Sequence, residues 1–286
     1  MFGSPLYLLR GTTTNAIILL DLNNCDRGWS PTEYQRGTGE WGRAAAGFLA
    51  LGLPYDAEMP RALALETSGR TGSVALARDG GVVAEEQFAH GLKHAAGIIP
   101  IVDRLCRGQG WGPREIDEVY VSVGPGSFTG LRVGVTVAKT LALATGAKVV
   151  AVPTVEVLVR NAPPGWERAV IVLDAKRGQI FTAVYENRGG EAAVREGAHL
   201  GRLSEVLERI GRPVHLIGEG IPYHQESIPI EDEGVIVTPS GLWQARAGAV
   251  VEVGFGMARR GEFTGPDALV PVYIRRPEAE EKWVEG

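Results

Sequence analysis

The chain has 286 residues, of which 44% are hydrophobic and 22% are charged. These are ordinary globular values, so they exclude a disordered chain, a collagen-like repeat and a disulfide scaffold. The formal net charge of −5 excludes a global basic field for nucleic acid, and the presence of only two cysteines makes the reducing cytoplasm the expected compartment.

Residues 1–58 differ from the rest of the chain. Their apolar runs, Ile17–Leu20 and Ala44–Leu53, are separated by polar and glycine-rich clusters and sustain neither a helical nor a strand period. Both runs are shorter than the roughly 18–20 apolar residues that cross a bilayer, so we expect no membrane association. From Met59 onward the pattern is that of a protein entering its first strand. We therefore expect residues 1–58 to be a disordered extension or a segment upstream of a native start at Met59.

The following residues predict a first α/β lobe. Three short strands are expected, and the junction Asp79-Gly80-Gly81 between the second and the third is a strong hairpin signal. Apolar residues then recur at helical spacing, and two further strands alternate with helices. The predicted elements are strands Ala62–Leu65, Ser73–Ala77 and Val82–Phe88, helix Leu92–Leu105, strand Val119–Val123, helix Phe128–Ala144, strand Val149–Val152 and a short helix from Thr154.

A similar order of elements restarts in the second half of the chain. It consists of strands Ala169–Asp174, Gln179–Tyr185 and Ala193–Gly197, helix Leu203–Ile210, strand Val214–Ile217 and a helix from about Leu242 to Arg259. The sequence thus predicts an α/β protein with a duplicated βββαβα two-lobe fold and a cleft between the lobes. Two prolines and a glycine in Asn161–Gly165 place the boundary there. We expect an N-terminal, partner-binding lobe at 59–163 and a C-terminal lobe at 164–286, with the last helix and the tail packing back.

The most informative segment is Ser122–Lys139, in which a strand runs through a glycine-rich turn into a helix with Ser127 as the expected N-cap. Backbone N–H groups at such a helix start can hold a phosphate, but a tight strand-to-helix turn explains the same residues. The spacing matches neither a P-loop nor a dinucleotide fingerprint. Within the helix, Gly130, Gly134 and Ala138 recur every four residues and form a smooth stripe. This stripe predicts close packing against the protein's own sheet or against a partner.

Several motifs together resemble the TsaB (YeaZ) family. They are Leu63–Ser68 with Gly72–Leu76, the block Gly124-Pro-Gly-Ser-Phe-Thr-Gly-Leu-Arg-Val-Gly134, Asp174–Gly178, and the C-terminal Pro271-Val-Tyr-Ile-Arg-Arg-Pro277. The resemblance extends from about Met59 to Trp283. It implies the duplicated actin-like, ribonuclease H-like fold, which agrees with the two halves described above, and a requirement in making threonylcarbamoyladenosine in tRNA.

The resemblance further implies a non-catalytic subunit. Such proteins pair with a TsaD-type homologue, which transfers the threonylcarbamoyl group to adenosine next to the anticodon, and help to recruit a TsaE-type ATPase; a homodimer is possible, and tRNA is met only through the complex. By resemblance, the pairing uses the helices from about Lys93 to Arg107 and from Ser127 to Ala144. The predicted partner-binding residues are His94, Ile98, Val102, Ser127, Gly130, Leu131, Gly134 and Ala138.

The resemblance also implies a vestigial nucleotide cleft. In the related ATPases, nucleotide phosphates face two turns, which correspond here to Glu66, Thr67 and Ser68 and to Asp174, Lys176, Arg177 and Gly178. The adenosine-binding block of active relatives is not found; in its place stand Gly218 and Gly220, with Glu219 between them adding negative charge. We therefore expect no cofactor. The alternative is a self-sufficient ATPase or phosphotransferase of the same fold.

His90 and His94 have the spacing of two metal ligands on one helix face, which would suit a metallopeptidase. Gly91 follows His90 directly, no carboxylate lies between the histidines, and members of the family usually keep only the residue matching His94. Structural or interface histidines are the favoured interpretation. Ser127 is flanked by Pro125-Gly126 and Phe128 and not by the GxSxG pattern of a nucleophile elbow. The sequence therefore predicts no metal site and no catalytic residue.

Overall fold

The computed structural model describes residues 7–10, 17–20, 59–89, 94–229 and 231–275. It divides into two units, Met1–Glu58 and Met59–Gly286. In the first unit, strands β1 (Tyr7–Arg10) and β2 (Ile17–Leu20) pair antiparallel, with Tyr7 opposite Leu20. The sequence pattern predicts no strand there, since runs of four residues are too short to establish a period. The run Ala44–Leu53 lies outside the described residues.

The first half of the second unit is a five-stranded mixed sheet with three helices. Its strands lie in the order β5-β4-β3-β6-β7, with β3 antiparallel to β4 and parallel to β6. The elements are β3 (Arg61–Glu66), β4 (Thr71–Arg78), β5 (Gly81–Ala89), α1 (His94–Gly108), β6 (Glu118–Gly124), α2 (Phe128–Thr145), β7 (Lys148–Pro153) and α3 (Thr154–Val159). All of these elements are predicted by the sequence to within a few residues.

The second half repeats this plan. The elements are β8 (Arg168–Ile171), β9 (Leu173–Asp174), β10 (Ile180–Arg188), β11 (Glu191–Gly201), α4 (Leu203–Arg209), β12 (Val214–Ile217), β13 (Val235–Val237) and α5 (Ala247–Arg259). The strand order is β11-β10-β8-β12-β13, with β9 paired to β10. If the strands of each half are numbered from one and the short strand β9 is counted with β8, both sheets have the order 3-2-1-4-5. This shared order confirms the duplicated βββαβα fold.

The two sheets and their helices form successive layers. Alternate residues of β3 face opposite sides, because side chains alternate across a strand: Leu63 and Leu65 join the core beneath α1 and α2, whereas Ala62 and Ala64 face the core shared with α3 and α5. The outer face of the second sheet packs on α4. Among the described residues, no helix is both long and apolar enough to span a membrane.

Helix α5 belongs to the second half in sequence but packs on the first sheet. Its Gly254 lies so close to the Tyr120 ring that an added Cβ would be 2.6 Å from it. At the start of the helix, the Ala247 N–H donates to Ser73 Oγ at 2.7 Å, and the Gly248 N–H donates to a Glu85 carboxylate oxygen at 3.0 Å. These contacts join the two lobes.

The boundaries of three elements differ clearly from the sequence prediction. Strand β11 continues to Gly201 and does not end at Gly197. Helix α5 begins at Ala247 and not near Leu242, because the preceding loop is anchored elsewhere: Asn161 Nδ2 donates to the Leu242 and Gln244 carbonyls at 3.0 and 2.8 Å. The predicted strand Ala169–Asp174 is interrupted at Val172, whose N–H donates to the Ile217 carbonyl and whose carbonyl accepts from Gly220. Strand β13 is not predicted, since three residues carry too little periodic signal.

Candidate functional site

The glycine-rich turn before α2 packs directly on the β3–β4 turn. The Ser127 N–H donates to the Ser68 carbonyl at 2.7 Å, and an added Cβ at Gly126 would be 2.6 Å from that same oxygen. The predicted N-cap is confirmed, since Ser127 Oγ accepts from the Gly130 N–H at 3.3 Å. Because the protein itself already uses these two amides, the contacts favour a tight strand-to-helix turn over a phosphate site at this helix start.

The small-residue stripe of α2 faces the interior of its own lobe. Gly130, Gly134 and Ala138 are buried, and an added Cβ at Gly134 would overlap the Thr67 hydroxyl and contact Val121 Cγ2 at 3.5 Å. Of the two expectations for the stripe, own sheet or partner, the structure supports the sheet. The docking role given to these three residues stays a prediction; in this lobe their atoms pack on the sheet.

Three larger predicted docking residues, Ile98, Val102 and Leu131, are also buried within the lobe, and their docking role likewise stays a prediction. Ser127 is exposed, and the side chain of His94 lies outside the described residues. On the outer surfaces of the two helices, Ile99 is 47% exposed and Leu143 is 74% exposed. A partner that meets α1 and α2 would therefore contact these outer side chains.

On the first-lobe side of the predicted nucleotide cleft, the polar groups form hydrogen bonds with one another. Glu66 is fully buried at the end of β3, where it accepts from the Ser68 N–H at 2.6 Å and from the Ser122 hydroxyl. Burial raises the pKa of this carboxyl, although both hydrogen bonds oppose the shift. Thr67 and Ser68 are buried as well. Glu66 therefore holds the turn between β3 and β4 rather than presenting its charge to solvent.

The second lobe repeats this turn at the end of β9. Asp174 accepts from the Lys176 N–H at 3.0 Å and from Lys176 Nζ at 2.7 Å, so a carboxylate again binds the amide two residues further on. Desolvation opposes the effect, but the hydrogen bonds from Lys176 hold the pKa of Asp174 below its ordinary value. Lys176, Arg177 and Gly178 form the turn with positive φ angles of 63°, 54° and 70°. The predicted duplication therefore extends to these two turns.

The third predicted part of the cleft, Gly218–Gly220, belongs to the second lobe and contacts the first lobe. Gly218 and Gly220 press against the segment Val172–Asp174, and an added Cβ at Gly220 would be 2.6 Å from the Asp174 nitrogen. Between them, Glu219 Oε2 accepts from the Arg70 N–H of the β3–β4 turn at 2.8 Å. Desolvation raises the pKa of Glu219, partly offset by that N–H and by the Arg70 charge. The structure thus brings Glu66–Ser68, Asp174–Gly178 and Gly218–Gly220 to one cleft.

Sequence reasoning misses the aromatic part of this cleft. Arg70 from the first lobe and Lys176 from the second both lie over the Tyr223 ring, with their charged groups 5.1 and 5.4 Å from its centroid. Next to it, His224 is buried with Nε2 3.4 Å from Asp174 Oδ1. No motif spacing could reveal these contacts, because their partners are far apart in the chain and meet only through the fold.

The C-terminal motif spans both lobes. Leu269 is fully buried in the first-lobe core, and the Val272 N–H donates to the Val123 carbonyl at 2.7 Å. Tyr273 stacks on Phe128 with ring centroids 4.7 Å apart and accepts from Arg132 Nε at 3.0 Å. Arg275 then donates to the Ala175 carbonyl and the Gln179 side chain of the second lobe.

The predicted absence of metal ligands at His90 and His94 is not tested. His90 and the side chain of His94 fall outside the described residues. Within the described ranges, no group of three or more histidine, cysteine, aspartate or glutamate residues could hold a metal ion.

Comparison with known proteins gives a consistent set of relatives. Residues 64–213 match the family model "TsaD: tRNA N6-adenosine threonylcarbamoyltransferase". The chain is 32% identical over 229 residues to the "tRNA threonylcarbamoyladenosine biosynthesis protein TsaB" of Bacillus subtilis, covering 78% of this chain and 98% of that protein. It is 30% identical over 146 residues to a "tRNA N6-adenosine threonylcarbamoyltransferase" of Anaeromyxobacter dehalogenans, covering 44% of each. Among solved structures, "YeaZ from Pseudomonas aeruginosa" is 26% identical, with a TM-score of 0.65 over 75% of this chain and all of that chain.

Proposed function

The chain belongs to the TsaB (YeaZ) family and has a role in tRNA threonylcarbamoyladenosine biosynthesis, and we propose that it acts there as a non-catalytic subunit of the transferase. One observation carries this proposal. The match to a TsaB protein extends over 98% of that relative, whereas the match to a transferase covers 44% of it. The chain is thus related over 78% of its own length to the TsaB protein and over 44% of it to the transferase.

The state of the cleft supports a non-catalytic role. The Glu66 carboxyl accepts a hydrogen bond from the amide of its own turn. Asp174 is paired with Lys176, and the Glu219 carboxylate accepts from the Arg70 amide. A self-sufficient ATPase would need such groups free to bind Mg²⁺ and phosphate. We therefore propose that the catalytic groups are supplied by a TsaD-type partner.

We propose that this partner docks on the outer surfaces of α1 and α2. Ile99 and Leu143 are large apolar side chains that remain 47% and 74% exposed there. Burying such a side chain in an interface contributes about 1.5–3 kcal/mol. Lone exposed apolar residues are common, so the support comes from their position on the two helices that the family resemblance assigns to pairing.

The family resemblance suggests three further interactions of this chain. We propose that a TsaE-type ATPase joins the pair, that a homodimer uses the same helices when the partner is absent, and that tRNA is met only through the complex in the cytoplasm. The net charge of −5 supports the indirect contact with tRNA, since an isolated acidic chain does not attract phosphate over distance.

The test is a binding titration with the TsaD-type homologue of the same organism. Leu143→Glu and Ile99→Glu introduce charge on the proposed surface, and Val194→Glu, at a residue 57% exposed on β11, is the matched control. We expect each helix variant to weaken pairing by at least tenfold, about 1.4 kcal/mol, and the control to pair normally. Normal pairing by both helix variants would refute the proposed surface.

A further inference from the structure

The segment Leu269–Arg275, called the strap below, is fixed to the first lobe at its start. Leu269 is fully buried in the first-lobe core. Further along, the Val272 N–H donates to the Val123 carbonyl at 2.7 Å, and an added Cβ at Gly124 would be 2.7 Å from the Val272 carbonyl oxygen. The backbone of the strap therefore lies directly against the end of β6, in a space that glycine at position 124 leaves open.

Tyr273 joins the strap to the outer surface of α2. Its ring stacks on Phe128 with the centroids 4.7 Å apart, and its hydroxyl oxygen accepts from Arg132 Nε at 3.0 Å. The Arg132 guanidinium also lies 3.9 Å from the centre of the Phe128 ring, so the three side chains contact one another. Arg132 is exposed and lies about three helical turns before Leu143, on the same side of α2. The strap is thus tied to the helix surface that we propose for partner docking.

Arg275 joins the strap to the second lobe. Its guanidinium donates to the Ala175 carbonyl and to the Gln179 side-chain oxygen. These acceptors lie on either side of the turn Lys176–Gly178, which the Ala175 N–H closes by donating to the Gln179 carbonyl at 2.9 Å. A planar guanidinium that donates to two acceptors fixes both the distance and the direction of the contact. The position of this turn therefore depends on the position of the strap.

A second contact joins the two lobes across the cleft and is independent of the strap. The Arg70 N–H of the first lobe donates to Glu219 Oε2 of the second lobe at 2.8 Å, and neither residue belongs to the strap or to its partners described above. If the lobes separate, this hydrogen bond breaks and the Arg70 N–H exchanges with solvent. Exchange at Arg70 therefore reports on lobe separation at a point that the strap does not touch.

We propose that the strap couples the outer surface of α2 to the position of the second lobe, with Arg275 as its latch to that lobe. A partner that buries Arg132 excludes the water that competes for its hydrogen bond with Tyr273. Docking on α2 therefore tightens the strap and holds the second lobe in place, and a held second lobe favours docking to the same extent. The coupling to a partner rests on the proposed docking surface, whereas the strap and its latch are properties of the isolated chain.

The first experiment measures amide hydrogen exchange in the isolated full chain by nuclear magnetic resonance. The variants are Arg275→Ala and Tyr273→Phe, and Arg202→Ala, at an exposed arginine before α4 of the second lobe, is the control. We expect Arg275→Ala, which removes two hydrogen bonds, to speed exchange of the Arg70 and Gln179 N–H groups about tenfold or more. Tyr273→Phe keeps the ring stack and removes one hydrogen bond, so we expect at least about a threefold increase at both groups.

The control should exchange like the unaltered chain. Unchanged exchange at Arg70 in Arg275→Ala would overturn the latch, even if Gln179 exchanges faster, because the contact would then act only on its own turn. Unchanged exchange in Tyr273→Phe would overturn the link to α2. Should Arg275→Ala fail to fold, Arg275→Lys replaces it, because lysine keeps the charge but lacks the planar group that reaches two acceptors.

The second experiment repeats the measurement with the TsaD-type homologue bound. We expect binding to slow exchange of the Gln179 N–H at least about threefold in the unaltered chain and not to slow it in Arg275→Ala. Equal slowing in both proteins would overturn the coupling. Failure of the two proteins to bind would overturn the proposed pairing and with it the coupling to a partner, whereas exchange in the isolated chain would still decide the strap and its latch.

Discussion

Replacing Gly134 with leucine tests whether the small-residue stripe of α2 packs on its own sheet. The Cβ alone would overlap the Thr67 hydroxyl and meet Val121 Cγ2 at 3.5 Å, and leucine brings three further heavy atoms. Removing glycine from a helix interior gains up to about 1 kcal/mol, whereas inserting a side chain into a filled core costs about 1–3 kcal/mol or more. Because the overlap begins at Cβ, the upper part of that range applies, and we expect a net loss of about 2 kcal/mol in unfolding free energy.

Urea denaturation followed by circular dichroism measures this loss. Thr136→Leu is the matched control, because Thr136 is exposed on the same helix and its change should stay within about 0.5 kcal/mol. In thermal unfolding the Gly134→Leu midpoint should fall by roughly 4–8 °C. A Gly134→Leu protein as stable as Thr136→Leu would show that the stripe does not fill the lobe interior, and the docking role for Gly134 would have to be reconsidered.

Two further predictions concern the buried carboxyl and the C-terminal segment. Burial raises the pKa of Glu66, so its contribution to stability is fully present below the unfolded pKa near 4.3 and is lost as pH rises through the folded pKa. Glutamine at position 66 does not titrate, so only the unaltered chain should lose stability as pH rises. The unfolding free energy of Glu66→Gln minus that of the unaltered chain should therefore increase from pH 4 to pH 7. A constant or falling difference in urea titrations would contradict this expectation. Leu269→Ala should cost about 2–5 kcal/mol because Leu269 is fully buried in the first-lobe core, whereas Val270→Ala, at a residue 58% exposed, should cost less than about 0.5 kcal/mol; equal losses in thermal unfolding would contradict the anchoring of this segment.

Most of the secondary structure can be predicted from the sequence because local signals agree with the fold. The β4–β5 hairpin is an example: Asp79 and Gly80 have positive φ angles of 49° and 75°, as the Asp-Gly dipeptide predicts. The strands of the first sheet are short and apolar, and they begin and end close to the predicted residues. The repeated order of elements predicts the duplication without any three-dimensional information.

The start of α5 could not be predicted, because the apolar pattern continues backward through Leu242 while the backbone there is tied to Asn161 by side-chain hydrogen bonds. These bonds link residues about eighty positions apart, and no local pattern reports them.

The candidate site was only partly predictable for a related reason. The spacing of Gly130, Gly134 and Ala138 reveals a smooth helix face, but it cannot show which neighbour that face meets. Glu219 stands out as an added negative charge, yet its contact with the Arg70 amide joins residues 149 positions apart. Sequence reasoning therefore identifies the segments that line the cleft, and the structure shows which of their groups are already bonded to one another.

We propose that this chain is required for threonylcarbamoyl modification without being the catalyst. The most direct measurement incubates unmodified tRNA with the threonylcarbamoyl adenylate and the organism's TsaD-type and TsaE-type proteins. The reaction is run with and without this chain, and mass spectrometry quantifies the threonylcarbamoyladenosine formed. We expect the modified nucleoside to form only when the chain is present together with the TsaD-type protein. Equal modification without the chain, or modification by the chain alone, would contradict the account.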